Sequence, residues 1–373
     1  MMRTKPERVS PPPPLEALSP SLARLLDNAK EPDRRVELAF LARQFVQATL
    51  PHRNPGDLPL WKRTNGKLTL AIQPGMNIET GKSYGYPYGT LPRLLLFWMT
   101  TEAITTKSRR LELGHTLTDF MRELGLNPNN GSRNAKRSDA RRLTGQMERL
   151  FRATISFQES DNDGRRAGKA WVDMQVAPEG MLWWDLQQPE QGTLWGSWVQ
   201  LGERFYEAIT AAPVPVDMRA LRALKRSPLA LDVYAWATYT AYQTQRTEQS
   251  RLVEWAWLHE QFGADYAELK EFTRKAKAAL RKVQVVYPAF GMAYERGGIR
   301  VLPCSPAVTL KRKDSVPASP PTPSLAAQAA FRVRHPGRDL ELCLDAWRNF
   351  LVCKGTSPYS ADAHFLAFAA KWA

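Results

Sequence analysis

Arg133, Lys136, Arg137, Arg141, Arg142, Arg149 and Arg152 crowd one short stretch of this chain, opposed there only by Asp139 and Glu148. A second basic run, from Tyr266 to Val283, holds Lys270, Arg274, Lys275, Lys277, Arg281 and Lys282. Cations at this density perform no covalent step; they neutralise phosphates and, from a helix, reach base edges in a major groove. Arg165 and Arg166 sit at a predicted hairpin tip and extend the same chemistry to the backbone. Catalytic alternatives are poorly supplied. His52, His115, His259, His335 and His364 show neither a His-x-His pair nor metal-ligand spacing, Cys304, Cys343 and Cys353 contain no Cys-x-x-Cys, and no Ser or Cys nucleophile has a recognisable setting. We therefore expect no enzyme activity, no metal and no cofactor. Gly75 to Ser83 imitates a phosphate-binding loop, but one residue too many separates its glycines. Tyr84-Gly85-Tyr86-Pro87-Tyr88-Gly89 follows where a helix must start, so a hairpin is expected instead.

The elements that must position these cations recur. Ser138 to Ala153 is predicted helical, with Ala140, Leu143, Met147, Leu150 and Phe151 on one side. Arg141, Gly145 and Arg152 face the other way, flanked by Ser138, Arg142 and Arg149. Before it come an apolar helix from Leu91 to Ile104 with Pro92 near its start, a strand from Arg109 to Leu113, and a helix from Leu117 to Leu124 capped by Thr116 and stopped by Gly125. After it, Thr154 to Gln158 and Ala170 to Val176 alternate as a hairpin. Two further strands, Gly180 to Leu186 and Thr193 to Leu201, carry Trp183, Trp184, Trp195 and Trp198, expected in a core or a subunit interface. Glu203 to Ala212 and Met218 to Lys225 are predicted helices around a rigid Pro213-Val214-Pro215 connector.

From Ser227 the opening pattern returns. Pro228 starts a second apolar helix, Trp257 to Gly263 mirrors Asp119 to Gly125, and the basic helix from Tyr266 turns Leu269, Phe272, Ala276 and Leu280 inward. Strands from Gln284 to Tyr287, Gly291 to Tyr294 and Ile299 to Leu302 close the copy. Twice over, a buried helix, a helix-turn, a basic helix and a hairpin follow one another, as in the winged-helix variant of helix-turn-helix. The expected fold is α+β: two tandem winged-helix domains with a small helical C-terminal module. The expected boundaries are a disordered lead-in over 1–33, an N-terminal helix and hairpin over 34–90 with the helix from Arg35 to Leu50, winged-helix domains over 91–202 and 203–308, a Pro-rich basic linker over 309–326 and a helical module over 327–373.

Across its 373 residues the chain carries 52 basic against 37 acidic side chains, a net +15 that favours an acidic polymer as partner. A ribosome, RNA or an acidic membrane would satisfy the same charge. The longest solid apolar block, Leu94 to Met99, falls far short of a bilayer span, and no apolar signal region follows Met1. A cytoplasmic protein without membrane contact is expected.

Tyr86-Pro87-Tyr88-Gly89-Thr90-Leu91-Pro92-Arg93-Leu94-Leu95-Leu96, Thr105-Thr106-Lys107-Ser108, Phe120 to Gly125, Gln146 to Leu150, Val214-Pro215-Val216-Asp217 and Ser227 to Trp236 form an ordered set over residues 84–303. This set resembles the plasmid-encoded RepA-type replication initiator family. The resemblance implies binding of double-stranded DNA at repeated origin sites, local duplex opening, recruitment of host helicase or initiator proteins, and a monomer–dimer equilibrium. A winged-helix transcriptional repressor without an initiation role is the competing expectation.

Overall fold

In the computed structural model, residues 37–128, 138–162, 167–184, 196–263, 266–309, 323–336, 338–354 and 361–371 are described. They form an α+β chain that divides into two units, Met1–Thr309 and Leu310–Ala373. Arg133, Lys136, Arg137, Arg165, Arg166 and Trp195 lie outside the described residues, as does most of the 309–326 segment.

The first unit begins with β1 (Leu38–Ala42), α1 (Arg43–Gln47), β2 (Trp61–Asn65) and β3 (Leu68–Gln73). A series then runs α2 (Leu91–Thr106), β4 (Arg110–Gly114), α3 (Leu117–Glu123), α4 (Asp139–Phe151), β5 (Thr154–Asn162), β6 (Ala167–Gln175). After β7 (Glu179–Met181), β8 (Ser197–Gln200), α5 (Glu203–Ala211), β9 (Pro213–Asp217) and α6 (Met218–Leu224), the same order recurs. It reads α7 (Pro228–Thr247), β10 (Arg251–Glu254), α8 (Trp255–Phe262), α9 (Leu269–Val286), β11 (Met292–Glu295), β12 (Gly298–Val301). The repetition reaches the backbone. Lys107 and Glu248, the C-caps of α2 and α7, are left-handed at φ 55° and 54°, a conformation that no other non-glycine among the described residues adopts.

Sheet pairing separates the two copies. In the second, β10 pairs with β12 and β12 with β11, all antiparallel, so the strand before the helix-turn closes on the hairpin that follows α9. In the first, the β5–β6 hairpin instead joins β2 and β3 in the order β2-β3-β5-β6, and β4 pairs with β8, whose other edge takes β7. No helix among the described residues is long and apolar enough to cross a membrane. Helices α2 and α7 are buried almost all round because neither carries a polar stripe, and one continuous core joins both copies.

Three segments differ from the sequence expectation. Arg35 to Leu50 is not one helix: β1 pairs antiparallel with β9, Leu38 opposite Asp217 and Ala42 opposite Pro213, leaving only α1 helical. A short run that is apolar at nearly every position suits a buried strand as well as a helix, and the partner strand decides. That partner is the Pro213-Val214-Pro215 stretch, which forms a strand and not a bare connector; a two-stranded ladder leaves outer edges where a missing N–H costs nothing. Gln284 to Val286 completes α9 instead of forming a strand, since burial of Val283, Gln284 and Val285 outweighs the β-propensity of the valines.

Charged side chains fasten the two copies inside this core. Arg93 of α2 donates from Nε to Asp232 Oδ1 and from Nη2 to Asp232 Oδ2, both at 2.8 Å, and Asp232 belongs to α7. The same guanidinium reaches the carbonyls of Gly89 at 2.7 Å, Pro51 at 3.1 Å and Leu50 at 2.6 Å. His52 Nε2 lies 2.7 Å from Asp232 Oδ2, and all three side chains are buried. Burial alone would push the Asp232 carboxyl up, but the Arg93 cation and the His52 hydrogen bond outweigh it and bring it down to about 2. Burial, with Arg93, holds His52 below its ordinary 6.5 against the opposing pull of Asp232. The ring is therefore neutral near pH 7, and Nε2–H donates to the carboxylate.

A pH dependence follows from these directions. A depressed His52 stabilises the fold fully above pH 6.5, and that contribution drains as the pH falls below it, because the unfolded chain then binds the proton first. Asp232 adds stability that is complete above its ordinary 3.8 and is lost as the pH falls through about 2. Urea unfolding of wild type between pH 8 and 5 is expected to show a falling midpoint that His52→Gln flattens. A parallel slope in both chains would remove His52 from the account.

In the second unit, α10 (Leu325–Arg334), α11 (Leu340–Lys354) and α12 (Ala361–Lys371) enclose Phe331, Leu344, Trp347 and Phe365. Trp347 Nε1 donates to His364 Nδ1 at 2.9 Å. Ser324 caps α10 and also donates from N and Oγ to the Asp362 carboxylate, each at 2.7 Å, which ties the starts of α10 and α12 together.

Candidate nucleic-acid interface

Ser138 starts α4 by accepting a hydrogen bond from Arg141 N, with Asp139 in the positively polarised first turn. Ala140, Leu143, Met147, Leu150 and Phe151 are buried as the wheel requires, and Arg141, Arg142 and Arg152 are exposed. Arg142 pairs with Asp139 at 3.2 Å, one turn back, where solvent leaves such a pair weak. The preceding helix ends as expected. Thr116 accepts from Asp119 N, and Gly125 turns at φ 72° with a Cβ position that would run into the Arg222 side chain.

Arg149 is placed differently from its neighbours. Its guanidinium lies 5.2 Å over the Tyr88 ring and donates to the Tyr86 carbonyl at 3.4 Å, so it is half-buried. Gln146 on the same flank accepts from Tyr88 N at 2.9 Å. These two side chains hold the Tyr86–Tyr88 segment against α4, a contact that a wheel cannot display because the partner comes from elsewhere in the chain. Gln146 sits beside the apolar arc, whereas Arg149 lies on the outer side with Arg152, so the wheel alone gives no sign of its packing.

On α9, Phe272, Ala276, Ala279, Leu280 and Val283 face the core, while Leu269, expected among them, is 42% exposed at the first position. Lys270, Arg274 and Arg281 fall at helical spacing along one exposed stripe, and Lys275 and Lys282 flank it. Lys277 belongs to the stripe but is half-buried. Its Nζ stands 5.7 Å from the Trp255 ring and 5.2 Å from Tyr294, which locks α9 to the start of α8 and to β11. Burial raises the Tyr294 phenol above its ordinary value, with Arg281 opposing, so it stays neutral beside the ammonium.

The tryptophan cluster is divided. Trp184 stacks on Phe120 with centroids 5.6 Å apart, Trp198 lies under the Arg110 guanidinium at 4.0 Å, and Trp183 is exposed. His52, His259 and His364 each take part in a separate hydrogen bond, to Asp232, to the Tyr266 carbonyl and to Trp347. The exposed cations thus fall in two sets, Arg141, Arg142 and Arg152 on α4 and Lys270, Arg274, Lys275, Arg281 and Lys282 on α9, each on a helix seated by a helix-turn. Fixed donors along a helix can engage a duplex by neutralising phosphates and reading base edges.

Residues 86–257, from the Tyr86 segment to Trp257 in α8, match the family model described as plasmid encoded RepA protein. No curated protein matches the sequence. Among solved structures, a crystal structure of domains 2 and 3 of RctB as its selenomethionine derivative is 12% identical, with a TM-score of 0.41, and covers 69% of this chain and 94% of that one. A second crystal structure of RctB domains 2–3 is 11% identical over the same shares, with a TM-score of 0.35.

Proposed function

We propose that this chain, RepA-like across residues 86–257, is a plasmid replication initiator that binds repeated double-stranded sites at an origin, promotes opening of the duplex beside them and recruits host replication proteins. The observation that carries the reading is the duplicated order of elements with exposed cations on the same helix of each copy. In the second copy that order, with β10 closed on β12, supports a winged-helix arrangement in which α9 enters a major groove and the β11–β12 hairpin lies along the backbone. Arg141, Arg142, Lys270, Arg274 and Lys275 read bases in this account; Arg152, Arg281 and Lys282 hold phosphates. Arg149 and Lys277 act through position, by fixing the neighbours of their helices. No covalent step is assigned to the chain.

Footprinting on the DNA flanking the gene is expected to reveal evenly spaced protected repeats. On such a repeat Arg141→Ala should cost roughly 1–3 kcal/mol at one base position and relax preference there, whereas Lys282→Ala should weaken all duplexes alike and lower the salt dependence. Equal losses on random and repeat DNA for both variants would sink the assignment. A plasmid deleted for the gene that still replicates would favour a repressor.

A further inference from the structure

Gly75 to Ser83, the imitation of a phosphate loop, folds as a hairpin whose ends close through a Met76–Ser83 bridge. Asn77 N donates to the Lys82 carbonyl at 2.8 Å, Gly81 N to the Asn77 carbonyl at 2.9 Å, Tyr84 N to the Gly75 carbonyl at 2.9 Å, and Thr80 N to Asn77 Oδ1 at 2.9 Å. At its turn Ile78 is 90% exposed, and Met76 beside it 57%. Single apolar side chains on a surface carry little meaning by themselves. These two differ in where their hairpin is rooted. Its base is pressed on the C-terminal half of α4, so closely at Gly75 that a Cβ there would run into the Arg152 carbonyl. A Cβ at Gly85 would lie 3.6 Å from the Arg149 guanidinium carbon, and Tyr88 is held by Gln146 and Arg149.

We propose that this hairpin is a duplex-distorting wedge: with α4 seated in a major groove, Ile78, backed by Met76, enters the adjoining minor groove and unstacks a base step. The proposal rests on the DNA-reading function above and deepens it. Glu79 and Lys82 are the only charges between Met76 and Ser83, so the hairpin adds no net attraction for phosphates. What it presents is branched and thioether apolar surface on a turn already ordered by its own hydrogen bonds. Apolar side chains of this kind, inserted between base pairs from the minor groove, unstack them and bend the duplex. Rooting the turn on the reading helix couples the distortion to site recognition, and the unstacked step lies where strand separation can begin.

The test uses the full chain and a duplex bearing a footprinted repeat, with donor and acceptor dyes at its ends and 2-aminopurine stepped through the positions beside the α4 footprint. Wild type is expected to raise 2-aminopurine fluorescence at one step and to shorten the end-to-end distance. Ile78→Ser and the Met76→Ser/Ile78→Ser double variant should keep binding within about tenfold of wild type and lose both signals. A wild-type complex with straight, fully stacked DNA overturns the wedge, as does an Ile78→Ser chain that distorts the duplex normally. A change in sedimentation without a change in either optical signal assigns the tip to contact between copies and likewise overturns it. Failure of the underlying reading looks different: wild type then shows no preference for the repeat over random duplex.

Discussion

Asp232→Ala is expected to lower the unfolding free energy of the first unit by about 3–5 kcal/mol, seen as a fall in the denaturant midpoint at unchanged slope. The size comes from what the truncation leaves behind. Arg93 keeps its three carbonyl contacts but loses both carboxylate bonds, and its cation remains buried with no counter-charge. His52 at the same time loses the acceptor of its Nε2–H. Replacing both charged partners, as Arg93→Met with Asp232→Leu, should recover most of the loss, because desolvation of each ion offsets much of the attraction between them. A single variant within about 1 kcal/mol of wild type would place this cluster outside the determinants of stability.

Trp347→Ala is expected to cost the second unit about 3–5 kcal/mol, enough to unfold three short helices around so small a core. The deleted ring fills the centre, in edge contact with Phe365 at 5.5 Å, and its N–H serves His364. Hydrogen exchange should then show α10, α11 and α12 at unprotected rates and α2 and α7 unchanged. Simultaneous loss of protection in α2 would mean that the two units are not separately cooperative.

Local chemistry was readable in the residues. Pro92 near the start of α2, Thr116 as a cap, Gly125 as a stop, the apolar arc of α4 and, save Leu269, that of α9 all follow from the chain itself. Contacts between distant segments were not. Arg93 looks out of place in an apolar helix until Asp232 and His52 arrive from 139 and 41 positions away. Arg149 and Lys277 read as members of cationic rows, and only the approach of Tyr88, Trp255 and Tyr294 reveals them as packing groups. The strand character of Leu38–Ala42 lies in Pro213–Asp217, beyond the reach of any window laid on either.

That ladder between β1 and β9 interlocks the molecule. A segment preceding the first copy pairs with the join between copies, β2 holds Arg63, whose Nη1 donates to the Gln261 carbonyl of the second copy, and Gln261 Nε2 returns a bond to Val46. Neither half can therefore be excised with its contacts intact, and transplanting one into another gene would strand an orphaned ribbon in each product. Each half's packing is completed by the other, and a cut at the join would leave β1 or β9 as an unpaired strand.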